Sequence, residues 1–347
     1  MSDAVAWFAD VGIKDRPTVG GKGGSLGELT QAGITVPPGF VVTVLAFETF
    51  LEALEAREPI RPLVEALDPT DHGAATKLSE QLRARVMEEK MPAEVEQAIM
   101  AAMRELCPNG EPVAVRSSAT TEDADDASFA GLQDTFLWVL SPEDMAHRVR
   151  ECWGSLYSVE SMTYRRKQGF PEDQVAMAVV VQQMVDARCA GVMFTRSPLT
   201  GDKSVIAIEG AWGLGRSVVS GEVTPDKWVM GKITGEISQR DISEKHARQI
   251  PAEGGGIVEV ENEADIRSAP CLTDEQLEGL RQVGRQIEKH YGKPQDIEWA
   301  LDKDGNILLL QSRPETVWAA KDAVAKPVAK PVDNPMAHVM NIFGGRK

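Results

Sequence analysis

The stretch QDIEWALDKDGNILLLQSRP, residues 295–314, decides the fold. In a strand the side chains at i and i+2 share a face. Asp296 therefore lies beside Glu298 on one strand, and Gln311 beside Arg313 on the next. Asp304-Gly305-Asn306 between them is a turn. If the strands pair through that turn, the four polar side chains converge. A carboxylate with an amide oxygen suits Mg²⁺, and an arginine beside them suits phosphates that Mg²⁺ bridges. Two strands that merely display polar faces would carry the same residues.

Three further segments add to this hairpin. Gly20-Gly21-Lys22-Gly23-Gly24-Ser25 sets four glycines around one lysine. Backbone N–H groups of such a run approach an anion closely, and the ammonium adds a point charge. The run matches neither the Gly-x-x-x-x-Gly-Lys-Ser/Thr nor the Gly-x-Gly-x-x-Gly pattern, and it is read as a turn with a short helix from Leu26 to Gly33. Arg116-Ser117-Ser118-Ala119-Thr120 follows the strand Pro112–Arg116. It delivers an arginine and hydroxyls to a strand end, where α/β proteins place ligands; a salt-bridged arginine with cap serines is the alternative. Glu209-Gly210-Ala211-Trp212-Gly213-Leu214-Gly215 is a second glycine-rich loop. Arg196, at the end of Ala190–Thr195, reaches either a phosphate or an interface carboxylate.

Around these segments lie Phe40–Val44, Thr135–Leu140, Val175–Gln182, Val205–Glu209, Lys227–Ile233 and Ile257–Glu261, all read as strands. Ala46 to Cys107 and Pro142 to Gln168 are mostly helical, and Thr273–His290 is a helix capped by Thr273. The fold class is α+β, two lobes around a central cleft. The divisions are 1–200, 201–320, and a Pro-rich tether and tail over 321–347 that contains KPVAKPV.

The 347 residues carry 53 Asp+Glu against 37 Lys+Arg, a net charge of −16. That balance argues against a nucleic-acid or anionic-membrane partner, and 42% apolar residues supply a core. Four cysteines are scattered singly with no Cys-x-x-Cys, so neither a disulfide scaffold nor a zinc site is indicated. No run is long enough for a membrane span and the first residues carry no signal pattern, so a cytoplasmic protein is expected.

In order, VGGKGGSLGELTQAGITVPPGFVVT, AVRSSATTEDADDASFAGLQDTF, GVMFTRSP, EGAWGLG and QDIEWALDKDGNILLLQSRP resemble the nucleotide-binding part of the phosphoenolpyruvate synthase and pyruvate phosphate dikinase family. The resemblance covers about residues 10–318 and implies an ATP-grasp fold with ATP and Mg²⁺ as cofactors. It assigns phosphate contacts and catalytic roles to Lys22, Arg116 and Arg313, and metal ligation to Glu298 and Gln311. Gly21, Thr120 and Arg196 complete the implied nucleotide contacts, with the adenine slot near Val180–Val185. Family members relay phosphate through a histidine in a Ser-His context, and none of His72, His147, His246, His290 or His338 has that context. The resemblance thus implies a partner subunit that carries the phosphorylatable histidine, and an acceptor-substrate subunit or domain. The β-phosphoryl of ATP would pass to that histidine, leaving AMP and phosphate. The favoured final acceptor is phenol, as in the split, phenylphosphate-forming branch. The alternatives are an excised N-terminal domain of a phosphoenolpyruvate synthase or rifampicin phosphotransferase, and a non-catalytic ATP-sensing scaffold.

Overall fold

Runs of Val, Ile, Met and Phe form two antiparallel sheets that are joined by polar side chains. The computed structural model describes residues 3–119, 134–316 and Trp318. In chain order the strands are β1 (Val5–Trp7), β2 (Gly39–Val42), β3 (Val113–Ala119), β4 (Thr135–Val139), β5 (Met177–Gln183), β6 (Ala187–Phe194) and β7 (Val205–Trp212). There follow β8 (Asp226–Gly231), β9 (Ile237–Asp241), β10 (Ala247–Pro251), β11 (Ile257–Glu261), β12 (Gln295–Asp302) and β13 (Ile307–Pro314). The five-stranded sheet has the order β1-β2-β5-β3-β4, and the six-stranded sheet β13-β12-β6-β7-β8-β9; β10 and β11 form a separate ribbon. The mixture of helices and strands is the α+β class that the sequence predicts.

Each sheet is stabilised by burying an apolar face under helices. One face of the five-stranded sheet, with Phe40, Val115, Val179 and Val181, packs into a core with Phe47, Phe50, Val149 and Trp153. The last four residues come from α2 (Val44–Arg57) and the helix Pro142–Ser155. Its other face, through Val41, Ala178 and Val180, packs on Val19 and Leu26 of a single helix, α1 (Arg16–Gln31). In the six-stranded sheet, Ile297, Trp299 and Leu301 pack with Leu277, Leu280 and Ile287 of the helix Asp274–Tyr291. That helix starts where the sequence places it. The Thr273 hydroxyl accepts a hydrogen bond from the Gln276 N–H, and the Gln276 side-chain oxygen in turn accepts one from the Thr273 N–H. A Thr273→Ala substitution is expected to cost about 1 kcal/mol, read as a lower urea midpoint with an unchanged slope.

Three local readings are corrected. The Gly20–Ser25 run is not a turn: α1 is helical on both sides of Gly20, which alone breaks it with φ 70° and ψ 177°. Gly27 explains why glycine is needed farther along, since a Cβ there overlaps the Val11 carbonyl oxygen. The Phe40–Val44 strand stops at Val42, because Thr43 caps α2 by accepting the Ala46 N–H. The 142–168 helix is two helices, the second being Val159–Gln168 with Ser158 as its own cap.

The chain passes from the five-stranded to the six-stranded sheet at 184–186. The division placed at 200/201 falls between β6 and β7, neighbours in the same sheet. One compact unit ends at Pro314. The tether and tail over 321–347, with His338, lie outside the described residues.

Candidate functional site

Arg116 lies in β3 opposite Val180 of β5, itself opposite Val41 of β2, so its side chain leaves the sheet on the α1 side. There it meets β12 and β13. Its Nη2 donates to Glu298 Oε2 at 2.9 Å and to Gln311 Oε1 at 2.6 Å, and its Nη1 donates to the Leu310 carbonyl at 3.0 Å. The Arg116 side chain is 11% exposed and that of Glu298 27%, so the charges are paired largely away from water. Ionised, multidentate bonds of this kind are the strong ones.

The hairpin supplies these acceptors as its alternation predicts. Glu298 faces Gln311 and Asp296 faces Arg313 across β12 and β13. A bulge follows Glu298, because Trp299 pairs with Leu309 and leaves Leu310 as the extra residue. An unpaired bulge residue frees its carbonyl from the ladder, and the Leu310 carbonyl is the one that Arg116 takes. One register away, Arg313 donates to Asp296 Oδ2 through Nε at 2.8 Å and Nη2 at 2.7 Å. The Arg313 side chain remains 48% exposed.

Lys22 and Gly21 sit in the first turn of α1 beyond the Gly20 break. That turn is held by Ser118, the second residue after Arg116. Its hydroxyl donates to the Val19 carbonyl at 3.0 Å and accepts the Gly23 N–H at 3.2 Å, spanning the break. The Lys22 charge is felt at Cys152, whose thiol burial pushes well above its ordinary pKa while the ammonium pulls it down. Ser25 Oγ, one turn on, donates to the Ser312 carbonyl, and Ser312 Oγ donates to Gln295 Oε1 at 3.0 Å. Ser118, Ser25 and Ser312 thus register the lysine-bearing helix against both sheets. Sequence reading gives the Ser118 hydroxyl to a ligand or a helix cap and assigns no role to Ser25 or Ser312, although each stands beside or between residues that it names.

Arg196 follows β6 and is buried, its Nε donating to the Gly201 carbonyl at 2.7 Å. It closes the turn that includes Ser197–Gly201. Thr120 lies outside the described residues. Near the adenine stretch, a hollow of ≈ 290 Å³ is lined by Gln183, Met184 and Val185, with Pro37, Pro38 and Leu308 among its other walls. Glu209 is on the same cross-strand row as Glu298, with Val192 between them, and pairs with Lys227 at 3.1 Å.

Glu298 and Gln311 offer a carboxylate and an amide oxygen side by side, a donor set that fits a hard divalent cation. The structure already holds a cation between these two oxygens, the Arg116 guanidinium. Among the described residues no group of three His, Cys, Asp or Glu side chains gathers. The remaining positions around a Mg²⁺ would therefore fall to phosphate and water, its usual manner of binding.

Two sheets joined through an arginine, a carboxylate and an amide, beside a glycine-broken helix carrying a lysine, form a cation-lined site of the kind that receives a nucleotide's phosphates. The chain belongs to the family described as pyruvate phosphate dikinase, AMP/ATP-binding domain, which matches residues 16–333. A probable phosphoenolpyruvate synthase of Staphylothermus marinus is 40% identical over 94% of this chain and 43% of its own length. The phosphoenolpyruvate synthase of Pyrococcus furiosus is 39% identical over 90% of this chain and 44% of its own. The chain thus spans less than half the length of these relatives. Among solved structures, D-alanyl-alanine synthetase A of Vibrio cholerae is similar over 82% of this chain and 52% of that one, at 12% identity and a TM-score of 0.30. No helix among the described residues is long and apolar enough to cross a membrane.

Proposed function

We propose that this chain is the ATP-handling module of a phosphoenolpyruvate-synthase-type dikinase. It would bind ATP with Mg²⁺ and pass the β-phosphoryl group to a histidine on another domain or subunit, with water taking the γ-phosphoryl as phosphate and AMP as the leaving product. The observation that carries this reading is the triple contact of Arg116 with Glu298, Gln311 and the Leu310 carbonyl. It sets a phosphate-binding cation beside two oxygens suited to Mg²⁺, at the junction of the two sheets.

Phosphoryl transfer needs little covalent chemistry from the protein; positioning and charge neutralisation carry it. Glu298 and Gln311 would hold Mg²⁺, which would supply positive charge against the phosphates. Arg116 and Arg313, each presenting a planar fork, would hold phosphate oxygens in line. Lys22 would add a point charge from the α1 turn that Ser118 fixes. The 183–185 backbone and the hollow beside it suit the adenine.

The relatives favour phosphoenolpyruvate-synthase-type chemistry over the phenol acceptor that the sequence suggests. The histidine-bearing and acceptor-bearing partners belong to this proposal too. A labelling experiment tests it: [β-³²P]ATP and [γ-³²P]ATP are each incubated with the chain and a histidine-bearing domain of the family. Label on histidine from the β position, with release of AMP and phosphate, is the expected result. Label from the γ position alone would sink the dikinase reading, and no AMP in any mixture would leave a scaffold.

A further inference from the structure

The two oxygens that suit a divalent cation are the two that Arg116 already holds. Its Nη2 bonds both Glu298 Oε2 and Gln311 Oε1, and its Nη1 anchors the fork on the Leu310 carbonyl. All three acceptors come from one hairpin, whereas Arg116 comes from the other sheet. Glu298 therefore cannot receive a metal in this arrangement without either losing the guanidinium or placing two cations on one carboxylate.

We propose that Arg116 is a charge latch that makes metal entry conditional on nucleotide. This rests on the ATP-handling function proposed above and specifies the order in which that site fills. In the latched state Glu298 is paired with Arg116 and every charge is satisfied. When polyphosphate enters, the guanidinium exchanges the carboxylate for phosphate oxygens, to which it binds as well through the same fork. Glu298 and Gln311 are then released to the metal, and again every charge is paired. The half-filled states are poor. Metal without phosphate leaves metal and guanidinium competing for one carboxylate, and phosphate without metal leaves a polyanion against Glu298. Metal and nucleotide are thereby coupled, and each must raise the affinity for the other by the same factor.

The test measures free Mn²⁺ by electron paramagnetic resonance during titration of the full chain, with and without adenylyl imidodiphosphate. The unsubstituted protein is expected to bind Mn²⁺ weakly alone and far more tightly with the nucleotide analogue. Arg116→Met is expected to bind Mn²⁺ alone about tenfold more tightly, the effect of removing one competing ion pair, and to lose most of the coupling. Arg116→Lys keeps the charge without the fork and should fall between the two; it carries the test if the methionine variant proves misfolded by circular dichroism. Nucleotide-independent Mn²⁺ affinity that is equal in the unsubstituted and substituted proteins overturns the latch while leaving the ATP-handling function standing. Failure of the unsubstituted protein to bind the analogue with Mn²⁺ overturns that function, and the latch with it.

Discussion

Arg116→Ala is expected to lower β-phosphoryl transfer by about 10³-fold, while metal-bound nucleotide still binds within about tenfold of its original affinity. The asymmetry follows from what the guanidinium does. A nucleotide held by adenine contacts, Lys22, Arg313 and a metal keeps most of its ground-state binding without Arg116. Charge on the transferring group is greatest in the transition state, and a fork anchored on the Leu310 carbonyl, once exchanged from Glu298 to the phosphates, is already placed there before the transfer step. Single-turnover transfer and equilibrium binding of the analogue, measured on the same preparation, separate the two effects. Equal losses in both would reduce Arg116 to a binding residue. A fall of similar size in the urea midpoint would instead assign it to holding the sheets together.

The site was most legible where local periodicity and contact geometry coincide. Residues 295–314 form a hairpin whose turn is closed within itself: Asp302 accepts N–H groups of Asp304 and Asn306, and Gly305 takes φ 90°. Strand alternation then places Glu298 opposite Gln311 and Asp296 opposite Arg313 without reference to the rest of the chain. The bulge at Leu310 was not legible, because Leu308-Leu309-Leu310 offers no polar residue to mark an added position. Glycine propensity favours a turn at 20–25, yet α1 is helical there because close packing on neighbouring backbone outweighs a weak local preference. Arg196 was ambiguous for a different reason: its Nε goes to the Gly201 carbonyl, a neutral acceptor five residues away. Ser118 carries no signal of its own. Its part depends on Val19 and Gly23, 99 and 95 residues distant in the chain.

Gly20→Ala is expected to destabilise the protein by about 3–5 kcal/mol and to remove nucleotide binding before it removes the fold. Two costs combine. At φ 70° and ψ 177° the backbone lies in a region that L-residues with a Cβ rarely enter. A Cβ built there also overlaps the Ser118 carbonyl oxygen and hydroxyl. That carbonyl belongs to β3, where Ser118 pairs with Ala178 of β5, so it cannot retreat without disturbing the register that also places Arg116. The cheaper relaxation is for the α1 turn to lift away. This breaks the Ser118 bonds to Val19 and Gly23 and carries Lys22 out of position. Urea unfolding reports the first cost, and calorimetric titration with the ATP analogue at low denaturant reports the second. A substituted protein with an unshifted midpoint would show that the break at Gly20 is not required by the packing of α1 on β3. Lost stability with intact binding would separate Lys22 from the phosphates, leaving that role to the two arginines and the metal.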